Sequence, residues 1–536
     1  MNPETFFDNF GLLADTPDGV QKLRELILQL AVQGKLVPQD PNDEPTAVLL
    51  KRIGTANNKM KKSLPKINKD DTLYELPKLW EWVRLGEIVT LEYGKNLPKS
   101  KRNQYGEYPV YGSNGIVGYH DNFLIDEPAI IVGRKGSAGA LNISSEPSWP
   151  TDVSYYLIPP DSINLNFAFI LLKSLKLETL GKGIKPGVNR NEAYQLITSL
   201  PPLNEQCRIV TKVDHLMALC DELEARQQKK QEARLRLNSA ALDRLLTAHE
   251  SDEFAHHWQR ICGNFDLLYD APENVGELRK AILQLAVQGK LVPQDPNDES
   301  AAVLLERIKV EKERLIKEKK IRKPKPLSLN DFENPYELPV NWKWTRLFDI
   351  GVINPRNKAK DDMDASFIPM ALISETYSTP VSSERRPWRK IKTGFTHFAE
   401  EDVVLAKITP CFQNGKSAVM RGLLNGLGAG TTELHVFRPL LNESVNPDYV
   451  LLYLRSPQFL TEGIERMTGT AGQKRIPRDY FAGNPFPLPS FQEQRRIVAK
   501  VDQLMALCDD LESKLKQSRT DGEKLMEAVV GERIGA

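Results

Sequence analysis

Leu23 to Ile53 (LRELILQLAVQGKLVPQDPNDEPTAVLLKRI) recurs at Leu278 to Ile308 (LRKAILQLAVQGKLVPQDPNDESAAVLLERI), with five differences in 31 positions. A second pair follows. Glu205 to Glu224 (EQCRIVTKVDHLMALCDELE) recurs at Glu493 to Glu512 (EQRRIVAKVDQLMALCDDLE), with four differences in 20 positions. A shorter echo links Tyr74 to Ile88 (YELPKLWEWVRLGEI) with Tyr336 to Ile350 (YELPVNWKWTRLFDI). The offset between copies is 262 residues at this echo and 288 at the second helical pair, so the segments between differ by 26 residues. Those segments, about Gly86 to Leu200 and Phe348 to Leu488, share no evident sequence. One frame therefore occurs twice, around two unlike inserts. Two copies of a frame in one chain can build a pseudo-two-fold scaffold with two equivalent surfaces, as a true dimer would.

The frame reads as helix. Asp18 to Gln33 carries an apolar period and ends at Gly34, followed by Pro38 and Pro41; a second helix is expected from about Pro45. Ile209, Val213, Leu216, Cys220 and Leu223 fall three and four apart, and Leu235, Leu242 and Leu245 extend the stripe toward His249. Such a helix would be about 65 Å long at ~1.5 Å per residue. Val501, Leu504, Cys508, Leu511 and Leu515 offer a matching face for antiparallel packing. The lysine-rich runs Lys59 to Lys69 and Lys309 to Lys325 read as solvated helix faces and linkers.

The inserts read as β-rich. The first has Tyr108 to Tyr111, a Gly112-Ser113-Asn114-Gly115 turn, Ala129 to Val132 and the loop Gly133 to Gly139 (GRKGSAG). The second has Asp402 to Ile408, a Gln413-Asn414-Gly415 turn and Leu434 to Phe437. A helix is expected near Leu165 to Leu175 and another near Asp448 to Leu454. The fold class expected is α+β: two β-rich α/β domains joined by repeated long, coiled-coil-like antiparallel helices with pseudo-two-fold symmetry. The divisions expected are 1–73 and 251–335 for the helical copies, 74–204 and 336–492 for the inserts, and 205–250 and 493–536 for the long helices.

A chain of 536 residues needs several cores. Five cysteines without a CxxC pair fit neither a disulfide framework nor a zinc site and read as reduced thiols. No window is apolar enough for a membrane helix, and Met1 to Phe10 lacks a basic segment before an apolar stretch, so a cytoplasmic protein is expected. The net charge of +1 gives no support for nucleic-acid binding, which must come from local clusters.

Enzyme motifs fail on inspection. Gly415-Lys416-Ser417 resembles the end of a phosphate loop, but the first glycine would fall on Pro410. Asn484-Pro485-Phe486 resembles the Asn-Pro-Pro-Phe element of adenine methyltransferases, lacks one proline and has no glycine-rich cofactor loop; a turn before the next helix is expected instead. Trp80, Trp82, Trp342 and Trp344 stand at matched places before each insert and are assigned to packing.

Leu200-Pro201-Pro202-Leu203-Asn204-Glu205-Gln206 closes one insert, Leu488-Pro489-Ser490-Phe491-Gln492-Glu493-Gln494 closes the other, and each runs into an LMALCD helix. With the insert starts LPKLWEW and LPVNWKW and the turns GSNGIVGY, GRKGSAG and TGTAGQKRIP, this order resembles the specificity subunit of type I restriction-modification enzymes. The resemblance covers nearly the whole chain. It implies a non-catalytic, sequence-specific subunit whose two target-recognition domains each read half of a bipartite site in double-stranded DNA, the helices setting the spacer. It also implies two methyltransferase subunits docked on the helical frame and motor-nuclease subunits beside them. S-adenosylmethionine, ATP and Mg would belong to those partners, and no cofactor to this chain. A full helical copy before the first recognition domain is the layout of a subset of the family.

Base readers should be polar side chains on glycine-supported loops, Arg or Lys for guanine and Asn or Gln for adenine. In the first insert these are Ser113, Asn114, Arg134, Lys135 and Ser137, with Lys182, Lys185, Asn189 and Arg190 as base or phosphate contacts. In the second they are Gln413, Asn414, Lys416, Thr431, Thr432, Gln473, Lys474 and Arg475. The rival readings are a pseudo-dimeric helical adaptor that never touches DNA, and a methyltransferase or nuclease in its own right.

Overall fold

The computed structural model describes residues 18–56, 64–72, 74–181, 187–321, 323, 327, 334–377, 380–470 and 472–534. Lys182, Lys185 and much of the run Lys59 to Lys69 lie outside them. The chain divides into two units, 1–231 with 517–536, and 232–516.

In the first unit α1 (Gly19–Val32) buries Leu23, Leu26, Ile27, Leu30 and Ala31. It stops where Gly34 takes φ 71°, a region that favours glycine, and a Cβ there would lie 2.5 Å from Pro77. After α2 (Thr46–Ala56) come β1 (Glu81–Arg84) and α3 (Leu85–Ile88). The insert then supplies β2 (Glu92–Tyr93), β3 (Tyr108–Tyr111), β4 (Ile116–His120), β5 (Ala129–Gly133), β6 (Leu141–Ser144), β7 (Trp149–Pro150) and β8 (Ser154–Leu157). Next are α4 (Leu165–Ser174), α5 (Arg190–Gln195) and β9 (Ile197–Leu200). β9 pairs antiparallel with β1, Glu81 opposite Leu200, so the insert is closed at its base by its own first and last strands.

The long helix α6 (Leu203–Thr247) has 45 residues, of which 203–231 belong to the first unit and 232–247 to the second. Ile209, Val213, Leu216 and Cys220 are buried as the stripe requires, and so are Leu242 and Leu245, whereas Leu235 is 37% exposed. The second unit continues with α7 (Ser251–Gly263), α8 (Phe265–Leu268), α9 (Pro272–Val287) and α10 (Ala301–Lys317). On α10 Arg314 is exposed and paired along the helix with Glu311 at 2.7 Å and Glu318 at 2.9 Å, whereas Lys312, expected on a solvated face, is half-buried and donates to the Phe348 carbonyl at 2.6 Å. β10 (Lys343–Arg346) and α11 (Leu347–Ile350) open the second insert. Its strands are β11 (Gly351–Ile353), β12 (Asp364–Ile368), β13 (Glu384–Pro387), β14 (Thr396–Ala399), β15 (Val403–Ala406), β16 (Ser417–Val419), β17 (Leu427–Gly430) and β18 (Leu434–Pro439). α12 (Pro447–Leu454), α13 (Pro457–Glu465), α14 (Arg478–Gly483) and β19 (Pro485–Leu488) follow, then α15 (Phe491–Ile534) with 44 residues. Asn484-Pro485-Phe486 is thus not the turn expected from sequence. It enters β19, which pairs with β10 and closes the second insert as β9 closes the first. A strand wins there because Phe486 and Leu488 are fully buried.

The repeated residues make repeated contacts. Tyr74 Oη donates to the Val32 carbonyl at 3.2 Å and Tyr336 Oη to that of Val287 at 2.9 Å. Arg208 binds Asp43 at 2.6 Å and Arg496 binds Asp298 at 2.6 Å. The buried Gln206 accepts from the Asn164 amide at 2.8 Å, and the buried Gln494 from that of Asn446 at 2.7 Å. Both asparagines then cap the helix that follows, α4 or α12, through their side chains. Arg24 holds Asp221 and Glu224 of α6, and Arg279 holds Asp509 and Glu512 of α15. The tryptophans pack as expected: Trp80 is 4% exposed and Trp342 2%, while Trp82 and Trp344 lie against Tyr74 and Tyr336.

The inserts, unlike in sequence, share one topology. The first contains a sheet ordered β2-β8-β5-β6 and the second a sheet ordered β11-β18-β15-β16, both antiparallel throughout. In chain order each is first, fourth, second, third. The other sheet is β4-β3-β7 in the first and β13-β12-β17-β14 in the second, each with one parallel pair, β3·β7 or β12·β17. β14 is the additional strand, part of the greater length of the second insert.

Candidate nucleic-acid interface

In both inserts three connections meet beside the four-stranded sheet: the one leaving β5 or β15, the one entering β8 or β18, and the stretch before α5 or α14. The backbone bonds fix which residues correspond. Arg134 N donates to the Val153 carbonyl at 2.9 Å and Val188 N to that of Arg134 at 3.0 Å; Lys407 N donates to the Glu433 carbonyl at 2.9 Å and Ile476 N to that of Lys407 at 2.8 Å. Below them Tyr155 Oη reaches the Val188 carbonyl and His435 Nε2 that of Ile476, each at 3.2 Å. Arg134 thus corresponds to Lys407, Val153 to Glu433, and Arg190 to Arg478.

In the first insert the structure brings together most of the residues expected from sequence. The Ser113–Gly115 turn, closed by a 2.9 Å bond from Gly112 N to Gly115 O, abuts the loop after β5, for a Cβ on Gly133 would meet the carbonyls of Ser113 and Ser137 within 2.3 Å. Asn114, Lys135, Ser137 and Asn189 are exposed, although Asn189 spends its side-chain oxygen capping α5. Arg134 is half-buried and donates to the Asp152 carbonyl at 2.8 Å. Its guanidinium and that of Arg190 lie 5.0 and 4.8 Å from the centre of the Tyr93 ring. Tyr93 is 48% exposed and sequence reasoning missed it.

The second set divides. Thr431, Thr432, Gln473, Lys474 and Arg475 share the corner where Arg475 bridges to Ile408 and Thr468. There Thr431 Oγ1 accepts from Glu433 N at 3.0 Å, and Thr432, Gln473 and Lys474 are exposed. Arg475 is bound by both oxygens of Glu433, whose carboxyl it holds below the ordinary range. Gln413 and Asn414 lie elsewhere, in a cavity of about 790 Å³ lined also by Arg279 and Lys280 of α9 and Asp509 and Glu512 of α15. Asn414 donates to Glu375 at 2.9 Å and Lys416 is 3.9 Å from the same carboxylate. The structure places Gln413 and Asn414 on the helical frame's side of the domain, with Lys416 beside Glu375. Sequence reasoning also missed Lys407 and Arg478, which only the shared bonding pattern reveals.

The neutral form of His435 is enforced by burial, which pushes its imidazole down to about 4, and Lys407 and Arg478 act in the same direction. Ser417, in the segment that resembled a phosphate loop, is buried under Arg455 with its hydroxyl oxygen 3.0 Å from Arg455 Nε.

Two topologically equivalent α+β domains, each on one copy of a repeated helical frame and each presenting its own polar loop set, define a two-headed recognition protein. The type I restriction modification DNA specificity domain matches residues 77–233 and 339–518, and the chain belongs to that family. The specificity subunit of the type I restriction enzyme EcoAI of Escherichia coli is 50% identical over 259 residues, 48% of this chain and 44% of that protein. That of EcoEI, also from Escherichia coli, is 48% identical over 258 residues, 48% of this chain and 43% of that protein. These matches span less than half the length of either relative. The EcoDI specificity subunit of Escherichia coli is 20% identical over 464 residues, covering 85% of this chain and 88% of that protein. Among solved structures, the HsdS subunit from Thermoanaerobacter tengcongensis is similar with a TM-score of 0.40 and 17% identity, covering 86% of this chain and 98% of that one. Among the described residues no helix is long and apolar enough to cross a membrane.

Proposed function

We propose that this chain is the DNA-reading subunit of a type I restriction-modification complex, each insert reading one half of a bipartite duplex site. The observation that carries this reading is the pair of equivalent sheets bearing different residues at equivalent loop positions: Arg134 against Lys407, Val153 against Glu433, Gly187 against Arg475. A scaffold repeated to the level of single hydrogen bonds seats each reader on its own copy in the same way, while their loops are free to select different bases. Affinity comes from phosphate contacts and sequence from the loops. The chain contributes recognition, and the chemistry falls to its partners: methyltransferase subunits using S-adenosylmethionine and motor-nuclease subunits using ATP and Mg.

Methyltransferase docking on the helical frame is supported by exposed apolar side chains in the second unit, Trp258 at 39%, Phe265 at 38% and Leu507 at 59%. They line an apolar cavity of about 320 Å³ among α6, α7, α8, α9 and α15.

Exchange of residues 343–488 for the corresponding insert of a relative with another specificity tests the reading. The modified sequence should change in one half, with the other half and the gap retained. A change in both halves would contradict independent reading by the two inserts.

A further inference from the structure

β2 and β11 are equivalent edge strands of the two four-stranded sheets, and the connection leaving that strand carries cations in both inserts. In the first insert, residues 94–103 contain four cations and no acid (GKNLPKSKRN). Lys95, Lys99 and Lys101 are exposed and, among the described residues, form no side-chain hydrogen bond or ion pair. The loop is nonetheless anchored to the domain. Leu97 is 3% exposed, Arg102 donates twice to its carbonyl, and Trp149 Nε1 donates to the Lys95 carbonyl at 3.0 Å.

In the second insert the equivalent connection, 354–363 (NPRNKAKDDM), presents Arg356, Lys358 and Lys360. Arg356 is anchored by a 3.0 Å bond to the Phe395 carbonyl, and the two lysines are unpaired among the described residues. Pro355 is buried and Ala359 packs on the core of Ala365, Phe367, Trp388 and Ile391, so apolar anchors alternate with outward cations. A neighbouring turn adds two more: Arg389 and Lys390 stand exposed between buried Trp388 and Ile391, and Arg389 N bonds the Asp361 carbonyl at 3.0 Å.

Two domains without sequence similarity have thus kept cations at one topological position on ordered backbone. A solvated lysine face needs no ordered backbone, and the chain's net charge of +1 makes the concentration local. We propose that these edge-strand connections, 94–103 and 354–363, are the phosphate-binding elements of the two domains, gripping the duplex backbone beside each half-site. This rests on the reading of the chain as a DNA-recognition subunit. Contacts of this kind add affinity without sequence information and release counterions.

The test uses the full chain in complex with its methyltransferase subunits. Lys95→Ala/Lys99→Ala/Lys101→Ala and Lys358→Ala/Lys360→Ala are titrated, beside the unaltered chain, with duplexes that carry the recognised site or a single base change in it, across a salt series. Each lost phosphate contact should lower the slope of log affinity against log salt by about 0.9, so by about 2 to 3 for the triple variant. The preference for the recognised site over changed duplexes should stay constant. An unchanged slope, or a loss confined to one base pair, would overturn the proposal. So would failure of the variants to hold their methyltransferase, which would make these loops a protein interface. If the unaltered chain itself shows no preference among duplexes, the wider reading fails. If it does and only the slopes are unmoved, this proposal alone fails.

Discussion

The guanidinium of Arg475 is occupied by Glu433, with Nε and Nη2 each 2.9 Å from a carboxylate oxygen. A bidentate donor suited to guanine thus rests on an internal acceptor, and Arg475 ties the strand before α14 to the loop entering β18. The pair is part-exposed, with side-chain exposures of 42% and 24%, so solvent screens it and it adds little to the stability of the unit. Arg475→Ala should therefore barely lower the melting temperature while weakening discrimination in one half of the site. Arg475→Lys should not restore it, since an ammonium cannot make two parallel bonds. Titration with duplexes changed in each half in turn checks this; equal loss over all duplexes would make Arg475 a phosphate contact.

Tyr93 positions two arginines, and the variants at 93 separate that role from bulk. Tyr93→Phe keeps the ring and should keep discrimination in the first half-site. Tyr93→Ala removes the surface under Arg134 and Arg190, with an expected loss of about 1 to 2 kcal/mol of discrimination in that half alone. The same titration, compared with the other half-site, reads the result. Equal binding by Tyr93→Ala and the unaltered chain would sink this role.

Gln206 and Gln494 are fully buried and each makes bonds on both ends of its amide; Gln206 also donates to the Pro201 carbonyl at 3.0 Å, and Gln494 to that of Pro489 at 3.2 Å. Alanine at either strands a buried backbone amide and a carbonyl, at a cost of about 2 to 4 kcal/mol. Denaturant melts should show each substitution lowering the midpoint. Loss below about 0.5 kcal/mol would mean that the joint between helix and insert is not built on these bonds.

Acid should destabilise the second unit through His435. Its imidazole sits at about 4 when folded, against 6.5 when free. The unfolded chain therefore binds the proton first, and the stability contributed by the neutral ring is present above about pH 6.5. It is lost as pH falls from there to about 4, by up to about 3 kcal/mol. His435→Gln should flatten the stability profile between pH 6.5 and 4 relative to the unaltered chain, measured by melts across that range. Parallel profiles would show that His435 does not titrate on unfolding.

The frame was legible in the sequence because its contacts are encoded by identical residues. Gly34 and Gly289, Asp43 and Asp298, and Gln206 and Gln494 repeat, and each pair does the same work. The strand Tyr108–Tyr111 and the helix Leu165–Ser174 were legible from local pattern. The kinship of the inserts was not, because it lives in backbone bonds that different side chains satisfy. Tyr155 and His435 both reach a carbonyl at 3.2 Å, and nothing in their identities links them. Lys407 and Arg478 became candidates only through that correspondence. Gln413 and Asn414 read as a loop like any other, and only the tertiary course of the chain places them against the helical frame.

The proposed function has two different readers working on one frame. Its most direct test is selection of random duplex DNA by the chain held with its methyltransferase subunits, followed by sequencing of the retained fraction at moderate salt. The expected result is a split motif with two unlike halves and a fixed gap. Retention without any motif would contradict the account and leave the helical frame as an adaptor.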